Sequence, residues 1–373
     1  MLNYDEIKNL AKIKADDMYY ISCYLNVDPV ENVKGDYLIH IKNMLKKASE
    51  NLAKDIRKQI MPDIRKIDSY IVANKRDFKK GLAIISSAAS GFWWESHFSA
   101  GFRNEIVVDK LPYIKPLLNI IDTFRRYAVM IIDKESARLF AVHLGEIEEY
   151  REIYTENVPG RHKKGGWFSL AERSFERHID YHVELHIKDV IKQLERLLES
   201  GDITRLVIGG TEEALSMAKS LFPKQISGKI IGTFSVTMSA PGNEVLFRVT
   251  PVIEAYERRE KEDTIELLMT KTMKNENAVL GIDNVLSALQ EGRVMKLLFV
   301  KDYKTHGFSC ARCGFLTSQM AAECPFCKNP MQKVDYMIDL AAQKAIEQGA
   351  AFEVVHDNEQ FEKAGAIGAF LRY

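Results

Sequence analysis

The sequence predicts an α/β protein of three domains, each a mixed sheet with helices, with a small zinc ribbon inserted in the last. Three observations predict it. The chain has 373 residues, enough for two or three domains that each bury a core. Short apolar runs rich in β-branched residues alternate with longer stretches at helical spacing. Four of the five cysteines fall in one short segment as two C-x-x-C pairs. Hydrophobic residues make up 46% and charged residues 28%, which excludes a disordered or membrane-embedded chain. Lys plus Arg and Asp plus Glu are 52 each, so any nucleic-acid surface must come from local clustering. Residues Met1 to Lys14 hold no apolar run of signal-peptide length, and no stretch is long enough to span a membrane. The expected location is the cytoplasm.

In chain order, Met18 to Val27 reads as a buried strand ended by Asp28-Pro29, with Cys23 as an apolar filler. A helix follows from Asp36 to about Ile60, with Lys42, Lys46, Lys47 and Lys54 solvated. Leu82 to Ser87 is the next strand. Phe92-Trp93-Trp94 opens an aromatic run through Phe98 and Phe102 to Val108, read as core or hairpin packing ahead of base stacking. Pro112 and Pro116 punctuate the chain, and the first boundary is placed at Asn119, giving domains 1–119, 120–260 and 261–373.

In the middle domain Tyr127–Asp133, Arg138–His143 and Glu146–Tyr154 are three meandering strands. Next comes a basic loop, Arg161, His162, Lys163 and Lys164, then Gly165, Gly166 and Trp167. Ser169 and Glu172 form a capping box for a helix with Phe175, Ile179, Val183, Ile187, Val190, Leu194 and Leu197 on one face. Two glycines permit positive φ and close approach to another polymer, and the cations attract phosphate. Arg173 and Arg177 extend that charge onto the helix. His178, His182 and His186 form a stripe, expected to be a solvated or RNA-facing edge rather than a ligand set. Arg205–Gly210 is a strand leading to a tight turn, since Gly209-Gly210-Thr211 lacks the lysine and spacing of a Walker motif. Glu212 to Leu221 is a helix.

The charged run Glu257–Asp263 reads as a solvated helix or linker. In the last domain a helix leads to a second one over Ala278–Glu291 and a strand over Val294–Asp302. Then Cys310 and Cys313, followed by Cys324 and Cys327, place four thiolates on two tight turns within a ribbon at 306–332. This is the tetrahedral sulfur set that zinc requires, and a closed set of four leaves no open position, so the Zn2+ is structural. A helix over Tyr336–Gln348 and strands at Ala351–His356 and near the end complete the domain.

By this point the chain resembles the archaeal and eukaryotic peptide-chain release factor and Pelota family, as a divergent bacterial-type member. Val279–Val300, Gly349–Val355 and Gly365–Tyr373 carry the likeness in the carboxy-terminal domain, where archaeal members hold a small inserted ribbon. The basic Gly-Gly loop feeding a long helix, with Arg205–Gly210, resembles the family's middle domain. Ile21–Leu25 and Gly81–Ile85 resemble its amino-terminal domain more faintly. The resemblance implies translation termination or ribosome rescue, RNA binding, and partners in the ribosome and tRNA, with no membrane and no DNA. The carboxy-terminal fold serves in such factors as the contact for a translational GTPase and in ribosomal proteins as a binder of kinked RNA, and both uses stay open.

In the family a Gly-Gly-Gln tripeptide sits beside the ester of peptidyl-tRNA, where backbone amides and the glutamine orient water and stabilise the oxyanion. Gly165 and Gly166 match; Trp167 stands where the glutamine would be. An indole can stack on an adenine and donate one hydrogen bond, but has no carbonyl to orient water. The chain is thus expected either to hydrolyse peptidyl-tRNA through Gly165-Gly166-Trp167 or to bind without hydrolysis, as Pelota-like factors do. The family's Asn-Ile-Lys-Ser codon-reading loop has only a faint echo in Asn32-Val33-Lys34-Gly35, so stop-codon decoding is not expected.

Overall fold

The computed structural model describes residues 4–373 apart from 14–17, 29, 32–36, 51, 76, 124, 134, 144, 155–168, 201–202 and 357, and of 169–180 it describes the helical backbone. The chain forms two compact units: residues 124–261 make one, while 1–123 and 262–373 together make the other.

In the discontinuous unit, a four-stranded antiparallel sheet has the order Phe92–Phe98, Gly81–Ser87, Tyr20–Asn26, Glu105–Asp109. The strands Tyr20–Asn26 and Gly81–Ser87 are buried almost throughout, which is why they read as continuous apolar runs. Helices Tyr37–Glu50 and Lys54–Asn74 cover one face, packing Ile41, Leu45, Ile67 and Ile71 on Ile21, Cys23, Leu25, Leu82 and Ile84. The single helix expected over 36–60 is therefore two. The chain breaks between Glu50 and Lys54, and the second helix continues past Pro62 to Asn74. A second helix allows the chain to double back and bury two apolar stripes on one sheet.

The second sheet of this unit is mixed, in the order Ala278–Leu280, Ile367–Leu371, Val294–Val300, Ala351–Val355, with only the last pair parallel. Ala278–Leu280 is a strand, where a helix was expected to begin. Gly281, at φ +82°, turns the chain into helix Ile282–Gln290, and that turn separates the two elements. Helix Lys115–Thr123 from the first segment lies against this sheet: Asp122 accepts from the Val354 amide at 3.2 Å, and buried Lys115 pairs with Asp339 at 3.2 Å. Gln343, in helix Met337–Glu347, donates to the Ala11 carbonyl at the end of helix Tyr4–Ala11. These contacts join the two ends of the sequence into one unit.

The unit 124–261 is a three-layer sandwich. Its sheet runs Glu146–Tyr154, Ser136–His143, Tyr127–Ile132, Arg205–Gly210, Ile230–Phe234; the first three strands meander antiparallel and the last two are parallel to the third. Helices Ser169–Ser200 and Glu212–Leu221 cover one face through Val183, Ile187, Val190, Leu194 and Ala218. The opposite face is covered by the first half of helix Gly242–Met273 through Val245, Val249 and Ile253.

Candidate metal centre and the helix that follows the basic loop

The ribbon is a three-stranded sheet, Leu316–Thr317, Gly307–Ser309, Gln332–Val334, with a cysteine knuckle at each side. The two knuckles repeat one another bond for bond. In the first, the Cys310 amide donates to the Phe315 carbonyl at 2.9 Å and the Gly314 amide to the Cys310 carbonyl at 2.9 Å. In the second, the Cys324 amide donates to Asn329 at 2.8 Å and the Lys328 amide to Cys324 at 3.0 Å. The residue after each second cysteine, Gly314 at φ +68° and Lys328 at φ +60°, takes the left-handed conformation that closes the turn.

This turn aims backbone amides at sulfur. Cys310 accepts from Arg312 and Cys313, and Cys324 accepts from Phe326 and Cys327. Burial pushes the Cys310 thiol up, but these donors outweigh it and draw it down to about 7, and Cys324 also moves down; burial raises Cys313 to about 12. Sγ separations are 3.3 Å for Cys310–Cys327, 3.4 Å for Cys313–Cys324 and 3.6 Å for Cys313–Cys327, and all four sulfurs lie within 4.8 Å of one another. A tetrahedral ion with thiolates at about 2.3 Å needs sulfurs about 3.8 Å apart, so small side-chain shifts let the set hold a metal ion.

Lys344, in helix Met337–Glu347, was not among the expected site residues. Its Nζ donates to the Gly314 carbonyl at 2.8 Å and to Gln290 Oε1 at 2.7 Å, tying the first knuckle to helix Ile282–Gln290. Burial lowers its pKa, and the Cys313 sulfur opposes that shift. Nothing in the local sequence around Lys344 distinguishes it from a solvated lysine; only the approach of the ribbon reveals it.

The expected tip residues Arg161, His162, Lys163, Lys164, Gly165, Gly166 and Trp167 lie outside the described residues. Arg173 and Arg177 lie in helix Ser169–Ser200, where only the backbone is described, so this helix begins directly after the loop. His186 departs from expectation. Instead of a solvated or RNA-facing edge, it is buried, 1% exposed, under strand Ser136–His143. It hydrogen-bonds the Ser136 backbone, and burial lowers its pKa, while Asp133, Asp189 and Glu135 pull the other way. The buried face of this helix is wide enough to take in the histidine that the wheel puts at its edge.

Gly209 and Gly210, expected to form a tight turn, are instead the last two residues of strand Arg205–Gly210, where close packing requires them. A Cβ on Gly209 would meet the Phe234 ring at 2.7 Å, and one on Gly210, at φ +146°, would collide with the Ile132 carbonyl. Thr211 then caps helix Glu212–Leu221 by accepting from the Ala214 amide at 3.4 Å.

Residues 112–254, a span holding the sandwich sheet, the basic loop and the long helix, match the model of bacterial archaeo-eukaryotic release factor family 10. The likeness to that family is thus carried by this segment of the chain. Similar solved structures include an archaeal translation termination factor, aRF1, at 16% identity over 100% of this chain and 99% of that one, with a TM-score of 0.29. Pelota of Archaeoglobus fulgidus is 12% identical over 100% of this chain and 92% of its own, with a TM-score of 0.35. Dom34 of S. cerevisiae, a translation termination-like factor, is 12% identical over 79% of each chain, with a TM-score of 0.39. No curated protein matches the chain. Among the described residues, no helix is long and apolar enough to cross a membrane.

Proposed function

We propose that this chain acts at the ribosome as a release-factor-like termination or rescue factor, with Gly165, Gly166 and Trp167 reaching the acceptor end of peptidyl-tRNA. The observation that carries the reading is the family match over residues 112–254, the segment in which that tip lies. Arg161, His162, Lys163 and Lys164, with Arg173 and Arg177 early in the helix, supply cations against tRNA phosphates. The Gly165 and Gly166 amides are the donors for the oxyanion that forms when water attacks the ester. Trp167 stacks on the terminal adenine and holds the tip in place. Cys310, Cys313, Cys324 and Cys327 hold zinc, which closes the ribbon and has no open coordination position. Segments 1–119, 120–260 and 261–373 are the three working domains, the last presenting a surface to a translational GTPase.

Labelled peptide released from stalled ribosomes by the purified chain, and not by a variant with Gly165→Ala and Gly166→Ala, tests the hydrolytic reading. Absence of release at saturating chain refutes it. Trp167 itself favours a second reading, in which the chain binds the ribosome as Pelota-like factors do and hydrolyses nothing. Trp167→Gln separates the two: gain of release assigns the chain to the binding class, and loss of an existing release makes the tryptophan part of the hydrolytic tip.

A further inference from the structure

A sheet edge is a row of unpaired amides and carbonyls, and proteins guard it by shortening, bending, charging or covering it. Most edges of this chain are guarded in one of those ways. Glu146–Tyr154 carries Glu146, Glu148, Glu149, Arg151 and Glu152, and the register with its neighbour shifts at Leu139/Phe140. Ile230–Phe234 also pairs with a register shift, at Leu206/Val207. Ala278–Leu280 and the outer ribbon strands have only two or three residues each. Glu105–Asp109 has an acid at each end, and Ala351–Val355 is closed by Asp122, which accepts from the Val354 amide at 3.2 Å. Phe92–Phe98 is the exception. It runs seven residues in unbroken register with Gly81–Ser87, holds no lysine, arginine or proline, and has no strand on its other side among the described residues.

Side chains alternate across this strand. Trp93, Glu95 and His97 face the helical hairpin: the Trp93 ring centre lies 5.5 Å from that of Tyr70, and His97 packs 5.4 Å from Phe78 with Nε2 3.1 Å from the Tyr70 hydroxyl. Phe92, Trp94, Ser96 and Phe98 face the other way, where Phe92 meets Tyr20 and Phe98 meets Phe102. Helix Lys54–Asn74 lies over Tyr20–Asn26 and Gly81–Ser87, so the outermost strand projects past it. Glu95 is exposed and accepts from Trp93 Nε1 through one carboxylate oxygen, while Trp93, Trp94, Ser96 and His97 are half-buried. Two identical strands paired antiparallel, with side chains meeting on the same face, must set one residue opposite itself. Centring on Glu95 opposes acid to acid, and centring on Trp94 gives the acid no base. Centring on Ser96 sets Glu95 opposite His97 twice over and Trp94 opposite Phe98.

We propose that strand Phe92–Phe98 pairs antiparallel with the same strand of a second copy of this chain, about a two-fold axis at Ser96. The four-stranded sheets of the two copies then join into one continuous sheet, and each copy covers the other's open edge. Self-complementarity selects a second copy over a foreign strand: the two-fold repeats each Glu95–His97 and Trp94–Phe98 pair, as a closed dimer requires. This pairing does not depend on the ribosomal reading. The strand also lies on a different compact unit from the basic loop, so the two can be altered separately.

The test uses the full chain. Sedimentation from about 1 to 100 μM is expected to show the mass doubling. Glu95→Lys sets a cation opposite His97 and charges the edge, and is expected to leave a folded monomer, its fold checked by circular dichroism. Position is read by cysteine crosslinking under mild oxidation, with the wild type as background for Cys23 and the ribbon thiols. Directly opposite Cα atoms lie about 4.5 to 5.5 Å apart, within disulfide reach, whereas the Glu95 positions of the two copies are diagonal neighbours at about 7 to 8 Å. Ser96→Cys is therefore expected to give a covalent dimer, and Glu95→Cys no more than background. A chain that stays monomeric to about 100 μM, a Glu95→Lys variant that still dimerises, or Glu95→Cys crosslinking as readily as Ser96→Cys overturns the proposal. So does loss of the dimer to an equimolar alternating valine–threonine peptide, which would mean that the edge takes any strand.

Discussion

Arg125 donates from Nη1 to Glu260 Oε2 at 2.7 Å, joining the segment that leads into strand Tyr127–Ile132 to the middle of helix Gly242–Met273. Arg205 takes the other carboxylate oxygen at 2.8 Å and donates from Nε to Tyr256 at 2.6 Å. The two neighbouring parallel strands at this point of the sheet, Tyr127 opposite Arg205, are therefore clamped to one helix by a single carboxylate. Burial pushes Glu260 up, but Arg205 and Arg125 outweigh it and hold its carboxyl below the usual range. Glu260→Gln is expected to cost the unit 124–261 about 1 to 3 kcal/mol, read as a urea midpoint at neutral pH. The sign with pH follows: the carboxylate's contribution is complete above the unfolded value of about 4.3 and is lost as pH falls through the lower folded value. The wild-type and Gln variant should converge at the acid end.

His186 gives the same unit a second pH response, at milder acidity. Its folded pKa is lowered by burial, so the folded unit binds fewer protons than the unfolded chain. Stability is complete above the unfolded value of about 6.5 and declines as pH falls from there toward the folded value. His186→Gln keeps a polar side chain against Ser136 and removes the titration. Denaturation midpoints between about pH 5 and 7 should slope in the wild type and flatten in the variant.

Asp63 is buried at 1% exposure and receives both the Ser86 hydroxyl and, at 2.7 Å, the Ala88 amide. It thereby fixes the turn between strands Gly81–Ser87 and Phe92–Phe98 to the second helix of the hairpin. Asp63→Ala strands two donors and should cost about 2 to 4 kcal/mol, measured by thermal unfolding. An effect below about 1 kcal/mol would mean that water replaces the carboxylate there.

The ribbon should bind one metal ion per chain. Cys313→Ala removes one of four sulfurs and should lower occupancy, while a strong chelator should release the ion and raise protease cutting within 306–332. The sheet built on Val294–Val300 should survive, because its packing on helix Met337–Glu347 does not pass through the knuckles. Elemental analysis and limited proteolysis read the two effects. A chain that keeps full metal content after Cys313→Ala would contradict the four-sulfur site.

Much of this architecture is legible in the residues. Tyr20–Asn26, Gly81–Ser87, Tyr127–Ile132 and Arg205–Gly210 are buried strands, and each stands out as a short run of aliphatic or aromatic side chains. The cysteine pairs are legible as a set that could hold a metal ion, because two tight turns bring four thiols together. Other features depend on distant partners. The break between Glu50 and Lys54 carries no proline or glycine, since doubling back is decided by the sheet both helices must cover. Asp63 looks like one more solvated acid until Ser86 and Ala88 arrive from a later strand. His186 shows the limit of a helical wheel: spacing gives direction, while the width of the buried face comes from the strands above it.

The most direct test of the central claim is a map of the chain bound to a ribosome carrying peptidyl-tRNA. The account predicts density for Gly165 and Gly166 against the terminal adenosine of the tRNA, with Trp167 stacked beside it. A bound chain whose 161–168 loop points away from the acceptor end, or a chain that never occupies the tRNA site, would contradict it.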